Sequence, residues 1–394
     1  MITITDKHDC CGCSACAQIC PKGCITMRDD GEGFAYPEVD AAACINCGLC
    51  EKACPLLGEL EERSPLDLLA AKNHNTGERT GSSSGGVFIA LAKEVVGNGG
   101  VVFGAVFDDE WQVMHTAAET IEELCPMQGS KYVQSRIGST YSQAAKLLKE
   151  GRRVMFTGTP CQIAGLRSYL RRDYDKLLTV EIMCHGVPSP GVWQRYLDEN
   201  FRSLDDGTRI TYVNFRDKSK EGWSRYNVVI KGCKDGSRDG EHELAASVYV
   251  DNPFMRGFMS DVYLRPACHR CKCKHGASGS DLTIADYWSA AQAVPEFADD
   301  KGVSLVFVNT DKGREALAGL DIDTLPTDAR YEERHNGGFS SAAPERPSRR
   351  RFFDDIAAGQ SFNDALGRAL KKPGYYVVYK KITKTLRNII LPKK

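Results

Sequence analysis

The sequence predicts an α+β protein: a small cysteine-rich module at the N-terminus, a larger mixed α/β body, and a helical C-terminal segment. Three observations predict it. Ten of the 17 cysteines fall within the first 54 of 394 residues. From Leu68 onward, apolar strand-like runs alternate with helix-like ones, and strand signals dominate after Ile210. The length accommodates two or three domains. Charged residues make up 26% and apolar residues 42%, as in soluble globular chains. Lys and Arg (51) balance Asp and Glu (52), so a general polyanion binder is not expected, and neither is a nucleic-acid partner. No apolar run is long enough to span a bilayer. The segment MITITDKHDCC has no basic stretch followed by an apolar one, as a secretory signal would. A cytoplasmic location is expected, where thiols stay reduced and many cysteines point to metal rather than disulfides.

The N-terminal cysteines have a strict spacing. Cys10, Cys13, Cys16 and Cys20 are followed by Pro21, and Cys44, Cys47, Cys50 and Cys54 by Pro55. Each run reads C-x2-C-x2-C-x3-C-P, the pattern of two-cluster bacterial ferredoxins, in which the fourth cysteine ligates the other cluster. One [4Fe–4S] cluster is therefore expected on Cys10, Cys13, Cys16 and Cys54, and another on Cys44, Cys47, Cys50 and Cys20. Zinc also takes four thiolates, but its motifs come as separated pairs. Gly12 and Gly48 permit tight backbone around sulfur. Cys11 could replace Cys10, although Cys10 keeps the regular interval; Cys24 reads as a packed thiol. Alternation around Asp30-Gly31-Glu32-Gly33 predicts a hairpin between the runs. The module is expected over 1–58, with an acidic linker at Glu59–Pro65.

In the body, strands are predicted at Leu69–Lys72, Val101–Phe107, Arg153–Thr157, Leu177–Met183, Ile210–Phe215 and Tyr226–Ile230. Helices are predicted at Gly85–Val96, Ser139–Glu150, Cys161–Leu170 and Pro190–Phe201. Thr80-Gly81-Ser82-Ser83-Ser84-Gly85-Gly86 opens a helix. Small residues there admit a bulky ligand to the backbone, and a helix N-terminus suits an anion; a plain flexible loop is the alternative. The spacing is neither a dinucleotide fingerprint nor a P-loop. Gly158-Thr159-Pro160-Cys161-Gln162 and Cys184-His185-Gly186 each follow a strand, where α/β sheets bind ligands. With Cys268-x2-Cys271 they supply thiols for a third [4Fe–4S] cluster. Zinc with His185 or His269, or unrelated packed thiols, are the alternatives.

These motifs together carry a resemblance. The paired cysteine runs, Ser83–Gly86, Gly129-Ser130-Lys131-Tyr132-Val133-Gln134-Ser135, Gly158–Gln162, Cys184–Ser189, Phe215–Lys218 with Gly222-Trp223, Cys268-x2-Cys271 and Ser280–Trp288 resemble the family of coenzyme F420 hydrogenase and dehydrogenase β subunits. The similarity runs from Cys10 to about Phe353. It implies FAD beside iron–sulfur clusters, and electron passage between one-electron clusters and a two-electron organic partner, the deazaflavin F420 or another small molecule. Flavin is the usual converter, because it accepts electrons singly and delivers them in pairs.

The resemblance assigns Cys161, Cys184, Cys268 and Cys271 to the third cluster, with Cys273 as a substitute for Cys271. It gives Ser83, Ser84, Gly85, Gly86, Lys131, Gln134, Ser135, Gly158, Thr159 and Pro160 to the flavin. Lys131 would stabilise the reduced flavin ring. His185 would supply a proton or a hydrogen bond to cluster sulfur. Lys218 and Trp223 read as substrate mouth or as hairpin surface, and Asp281, Asp286 and Trp288 as braces of the cluster loop. The catalytic domain is expected over 66–345 and the C-terminal segment over 346–394. Between Lys371 and Lys394, eight basic residues and no acidic one flank an apolar stripe (Tyr375, Tyr379, Ile382, Leu386, Ile389). That stripe reads first as a helix packed on the core; an anionic membrane surface and a protein partner are the alternatives. Expected partners are an electron-donor or acceptor protein (a ferredoxin, or a hydrogenase or dehydrogenase subunit), a small-molecule redox substrate and a second copy of the chain. An electron-relay subunit without its own substrate, tied to surface-polysaccharide synthesis, is the alternative function.

Overall fold

The computed structural model describes residues 1–202, 207–234, 240–328 and 337–371. Apart from Lys371, the basic stripe lies outside them. The N-terminal lobe is a hairpin of β1 (Ile25–Asp29) and β2 (Ala35–Val39) with short helices Ala15–Ile19 and Leu49–Lys52. The predicted hairpin is present.

The body is built on strands β3 (Asp67–Asn73), β4 (Val101–Phe107), β5 (Val113–Ala118), β6 (Val154–Gly158) and β7 (Leu177–Ile182). Beyond these follow β8 (Arg209–Asp217), β9 (Asn227–Cys233), β10 (His242–Val248), β11 (Leu282–Asp286), β12 (Ser304–Val308) and β13 (Ile322–Pro326). Eight of them form one sheet in the order β13-β3-β12-β11-β7-β6-β4-β5. The centre β4-β6-β7-β11 is parallel, and β5, β12 and β13 pair antiparallel with their neighbours. Parallel strands are covered on both faces, which is why β6 reads as a continuous apolar run and is buried throughout. Val101, Phe103, Val154 and Phe156 face helices Thr140–Lys149 and Pro160–Leu170; Val102 and Met155 face helix Val87–Gly97.

The remaining strands form a three-stranded sheet, β10-β9-β8. Its inner face joins helix Pro190–Leu197 and helices Pro347–Ala357 and Phe362–Leu370 in an aromatic core around Trp193, Phe215, Phe254 and Tyr263. The expected helix Pro190–Phe201 ends at Leu197 and continues as a π-turn to Arg202. Strands β5, β10, β11, β12 and β13 were not anticipated. β5, β10 and β13 lie at sheet edges, where apolar patterning is weak, whereas β11 and β12 are short buried runs of the kind periodicity cannot tell from helix.

Two features position the site. The registers place the carboxyl ends of β3, β6, β7 and β11 on one edge of the large sheet. The N-terminal lobe docks beside that edge: Phe34 is fully buried in the aromatic core, and Gly33 touches Gly191 at the start of helix Pro190–Leu197. Glu32 pairs with Arg349 and its carbonyl accepts from Ser189 Oγ.

Candidate functional site

Two thiol groups occupy the lobe. Cys20, Cys44, Cys47 and Cys50 line one cavity, as the spacing predicts. Cys24 is buried as expected, but it borders the same cavity with its Sγ 3.4 Å from that of Cys20. Cys10, Cys16 and Cys54 form the other group. Burial pushes Cys16 up to about 12, and the neighbouring Cys10 and Cys54 add to it. Cys13, expected with them, faces Cys11 and lies against Gly165 and Tyr141 of the body.

The edge of the large sheet carries a chamber lined by Cys161 after β6, by Cys184, His185 and Gly186 after β7, and by Cys268, Cys271 and Cys273 from the segment preceding β11. Three separate stretches of chain meet there because β6 and β7 are neighbours and β11 pairs with β7. In all six pairings of Cys161, Cys184, Cys268 and Cys271, one thiolate raises the pKa of the other, so the four lie within mutual reach. Burial is the main cause at Cys184 and at Cys268, which is pushed up to about 12. Cys161 is raised first by its hydrogen bond with Cys11. Cys271 is pulled down by a hydrogen bond from Cys273, and Lys274 adds to this. Cys273 is thus a neighbour of Cys271 and Cys161 at the chamber floor. Thiols this costly to ionise in isolation become thiolates when iron replaces the proton.

The donor chemistry suits four-iron clusters, with four thiols gathered in the second lobe group and in the chamber and three, Cys10, Cys16 and Cys54, in the first lobe group: soft thiols, few other ligands, and backbone N–H groups on sulfur, such as Val187 N to Cys268 Sγ at 3.4 Å. Among the described residues, no group of three or more His, Cys, Asp or Glu is arranged around a single ion. His269 Nδ1 donates to the Ala343 carbonyl at 3.1 Å, and His269 is not in the chamber wall. His185 is in that wall, with Nε2 held 2.6 Å from the buried Asp261 carboxylate, which also accepts from Arg346. Asp261 therefore orients the imidazole, a role nothing in the sequence spacing signalled.

The residues expected around flavin sit close together but are largely engaged with each other. Ser83 Oγ accepts from Ser130 N at 2.6 Å, and Ser84 Oγ donates to the Val303 carbonyl. Gly85 is small for a different reason than ligand approach: a Cβ there would strike the Ala71 carbonyl of β3 and Ser304 of β12. Replacing it would disrupt packing and says nothing about a ligand. Gly86, at φ +87°, starts helix Val87–Gly97. Gln134 does not face that edge: its Nε2 donates to the Cys11 carbonyl and its Oε1 accepts from Arg265, so it belongs to the lobe contact. Ser135 Oγ accepts from Gln162 Nε2, and Gln162 Oε1 accepts from Thr159 N. Gly158 sits beside His115, and Pro160 lines the thiol chamber.

Lys131 is enclosed by backbone carbonyls rather than aimed at an open site. Its Nζ donates to the carbonyls of Met127, Gln128 and Gly129, and burial pushes it down to about 7. Lys218 likewise donates to the carbonyls of Arg79, Ser84 and Lys301 and is pushed down by burial to about 7. Trp223 is buried and stacks on Trp288 at 4.9 Å. Asp281 braces β7 through Thr179 N and Oγ1, and Asp286 holds the buried Arg216. They brace the sheet and the aromatic stack, where the sequence suggests braces of the cysteine loop. Two buried side-chain atoms beside this edge, the Nε of Arg216 and the Nδ1 of His115, have no partner.

Residues 151–325 match the family model for the C-terminal part of the coenzyme F420 hydrogenase/dehydrogenase beta subunit, and residues 9–56 match that of the 4Fe-4S dicluster domain. Residues 151–325 are thus a region of the coenzyme F420 hydrogenase/dehydrogenase beta-subunit kind. The N-terminal lobe is an iron–sulfur module of the two-cluster kind. Among similar proteins, an F(420)H(2) dehydrogenase subunit of Methanosarcina mazei is 25% identical over 266 residues, covering 62% of this chain and 75% of that one. The coenzyme F420-dependent sulfite reductase of Methanocaldococcus jannaschii is 23% identical over 323 residues, covering 81% of this chain and 47% of the relative. The chain thus spans about half of that relative's length. A chain of the F420-reducing [NiFe] hydrogenase complex from Methanosarcina barkeri aligns over 67% of this chain and 83% of its own length, at 19% identity and a TM-score of 0.45. No described helix of this chain is long and apolar enough to cross a membrane.

Proposed function

We propose that this chain is an iron–sulfur oxidoreductase of the F420 hydrogenase/dehydrogenase kind with three [4Fe–4S] clusters. Two sit in the N-terminal lobe, on Cys10, Cys13, Cys16 and Cys54 and on Cys20, Cys44, Cys47 and Cys50. The third sits in the chamber on Cys161, Cys184, Cys268 and Cys271. The observation that carries this reading is the meeting of those four thiols, from three stretches of chain, in one chamber walled by Cys11 of the lobe. That contact gives single electrons a continuous route from lobe to body.

Cys271 is the fourth ligand in this reading, because its charge acts on Cys161, Cys184 and Cys268 alike. FAD is the proposed organic cofactor, beside the sheet edge; when bound it would supply the conversion between one- and two-electron transfer. His185, held by Asp261 at the chamber wall, is the proposed proton-handling residue. The substrate class is a small organic two-electron carrier such as a deazaflavin. The Methanosarcina mazei relative is one subunit of a dehydrogenase, which favours a second reading: this chain relays electrons to a partner protein.

Iron and flavin analysis of the anaerobically purified chain tests the first reading. About twelve iron atoms are expected, falling by about four in Cys161→Ala. Iron near eight, unchanged in that variant, refutes the third cluster. Acid should release FAD, and its absence refutes the flavin. Oxidation of an artificial donor without any partner separates enzyme from relay.

A further inference from the structure

Four arginines are buried among the described residues: Arg79, Arg216, Arg265 and Arg349. Three meet a carboxylate, on Asp299, Asp286 and Glu32 respectively. Arg265 is the most deeply buried, at 1% exposure, and its four side-chain hydrogen bonds reach no carboxylate. Nε donates to the Cys10 carbonyl at 2.7 Å and Nη1 to Gln134 Oε1 at 3.0 Å. Nη2 donates to the Ala35 carbonyl at 2.9 Å and lies 3.6 Å from Cys10 Sγ. The guanidinium lies over the rings of Tyr36 and Phe34, which exclude water. A buried cation without a counter-charge is strongly unfavourable.

The groups that favour its charge are Cys10, Tyr36, Cys11 and Cys268. Cys10 belongs to the lobe's first thiol group, whereas Cys11 and Cys268 line the chamber. The backbone fixes this position on the body side: Arg265 N donates to the Val187 carbonyl, and Cys268 N donates to the Arg265 carbonyl. On the lobe side the fit is close enough to require glycine at position 12, where a Cβ would lie 2.6 Å from Nη1. The arrangement makes sense when the thiols are thiolates around iron, since both clusters then present negative charge to one cation.

We propose that Arg265 is a positioning residue shared by two iron–sulfur centres: it is the counter-charge that docks the first lobe cluster against the chamber cluster and raises that lobe cluster's reduction potential. This rests on the cluster assignment above. A positive charge and an N–H hydrogen bond to ligand sulfur favour the more negative, reduced cluster, which sets the sign. The second lobe cluster, on Cys20, Cys44, Cys47 and Cys50, has no such contact with Arg265 and serves as an internal reference.

The test is a redox titration of the full-length anaerobic chain followed by electron paramagnetic resonance, with Cys47→Ala used to assign the second lobe cluster. In Arg265→Gln, the first cluster's midpoint should move to lower potential while the second stays fixed. Arg265→Lys restores the charge without the fork of donors, so it should recover part of the shift; it also serves if the glutamine variant does not fold. Equal movement of both lobe clusters, or no movement in a fully loaded variant, overturns the proposal. Iron counted on the same samples separates the two readings. Native protein near eight atoms overturns the chamber cluster, and the shared role with it. Full loading with unmoved midpoints overturns the role of Arg265 alone.

Discussion

Asp286→Asn should strip the counter-charge from a guanidinium that has almost no access to water. Arg216 is 1% exposed in its side chain and Asp286 is 17% exposed. They share two hydrogen bonds, Nη1 to Oδ2 at 2.7 Å and Nη2 to Oδ1 at 2.9 Å. The asparagine amide turns an NH2 toward one guanidinium nitrogen, so at least one of these bonds becomes a donor facing a donor. The Tyr132 hydroxyl and the Ser83 carbonyl still accept from Arg216, but neither carries charge. Removing one partner of a buried pair costs about 3–5 kcal/mol. The partial exposure of Asp286 places the expected loss near the lower end, about 3 kcal/mol, or roughly a hundredfold in the folding equilibrium. Urea unfolding followed by tryptophan fluorescence reads it directly, because Trp223 donates to Asp286 and stacks on Trp288. The midpoint should fall with an unchanged slope. Arg216→Met in the same chain removes the orphaned charge, so the double variant should recover much of the loss. A loss under about 1 kcal/mol in the single variant, or simple addition in the double, refutes the reasoning.

Other outcomes follow from the same structure. Burial pushes His115 down to about 4, so between its unfolded value near 6.5 and that value the unfolded chain binds the extra proton, and stability falls as pH falls. His115→Gln should lessen the drop in urea midpoint between pH 7 and pH 5; an identical drop in both proteins would sink this account. Gly191→Val puts a Cβ 2.8 Å from Gly33 Cα and should undock the lobe hairpin. Limited proteolysis at Glu59–Ser64 should then accelerate severalfold while the lobe keeps its iron, and an unchanged cleavage rate would show that the hairpin contact is dispensable.

What the sequence alone determined is what lies close along the chain. Both cysteine runs are legible because three ligands of each expected cluster share one short loop and the prolyl fourth cysteine marks the exchange between runs, and the family match over residues 9–56 agrees. The Asp30–Gly33 turn placed the β1–β2 hairpin, and apolar runs bounded by glycine or proline placed β4, β6 and β7. The tertiary structure decided which distant groups meet. Cys161, Cys184 and Cys268 share a chamber only because β6, β7 and β11 are consecutive in the sheet, an order that periodicity does not encode.

The same holds for residues whose motif suggested one role and whose neighbours give another. Gln134 clasps the lobe, Gly85 makes room for two strands, and Lys131 is surrounded by carbonyls. Arg265 had no spacing signal, since a lone arginine says nothing until its partners are known. Adjacent residues Cys10 and Cys11 turn to different thiol groups because the backbone between them is pinned by Arg265 and Gln134, which reach it across more than a hundred residues of chain.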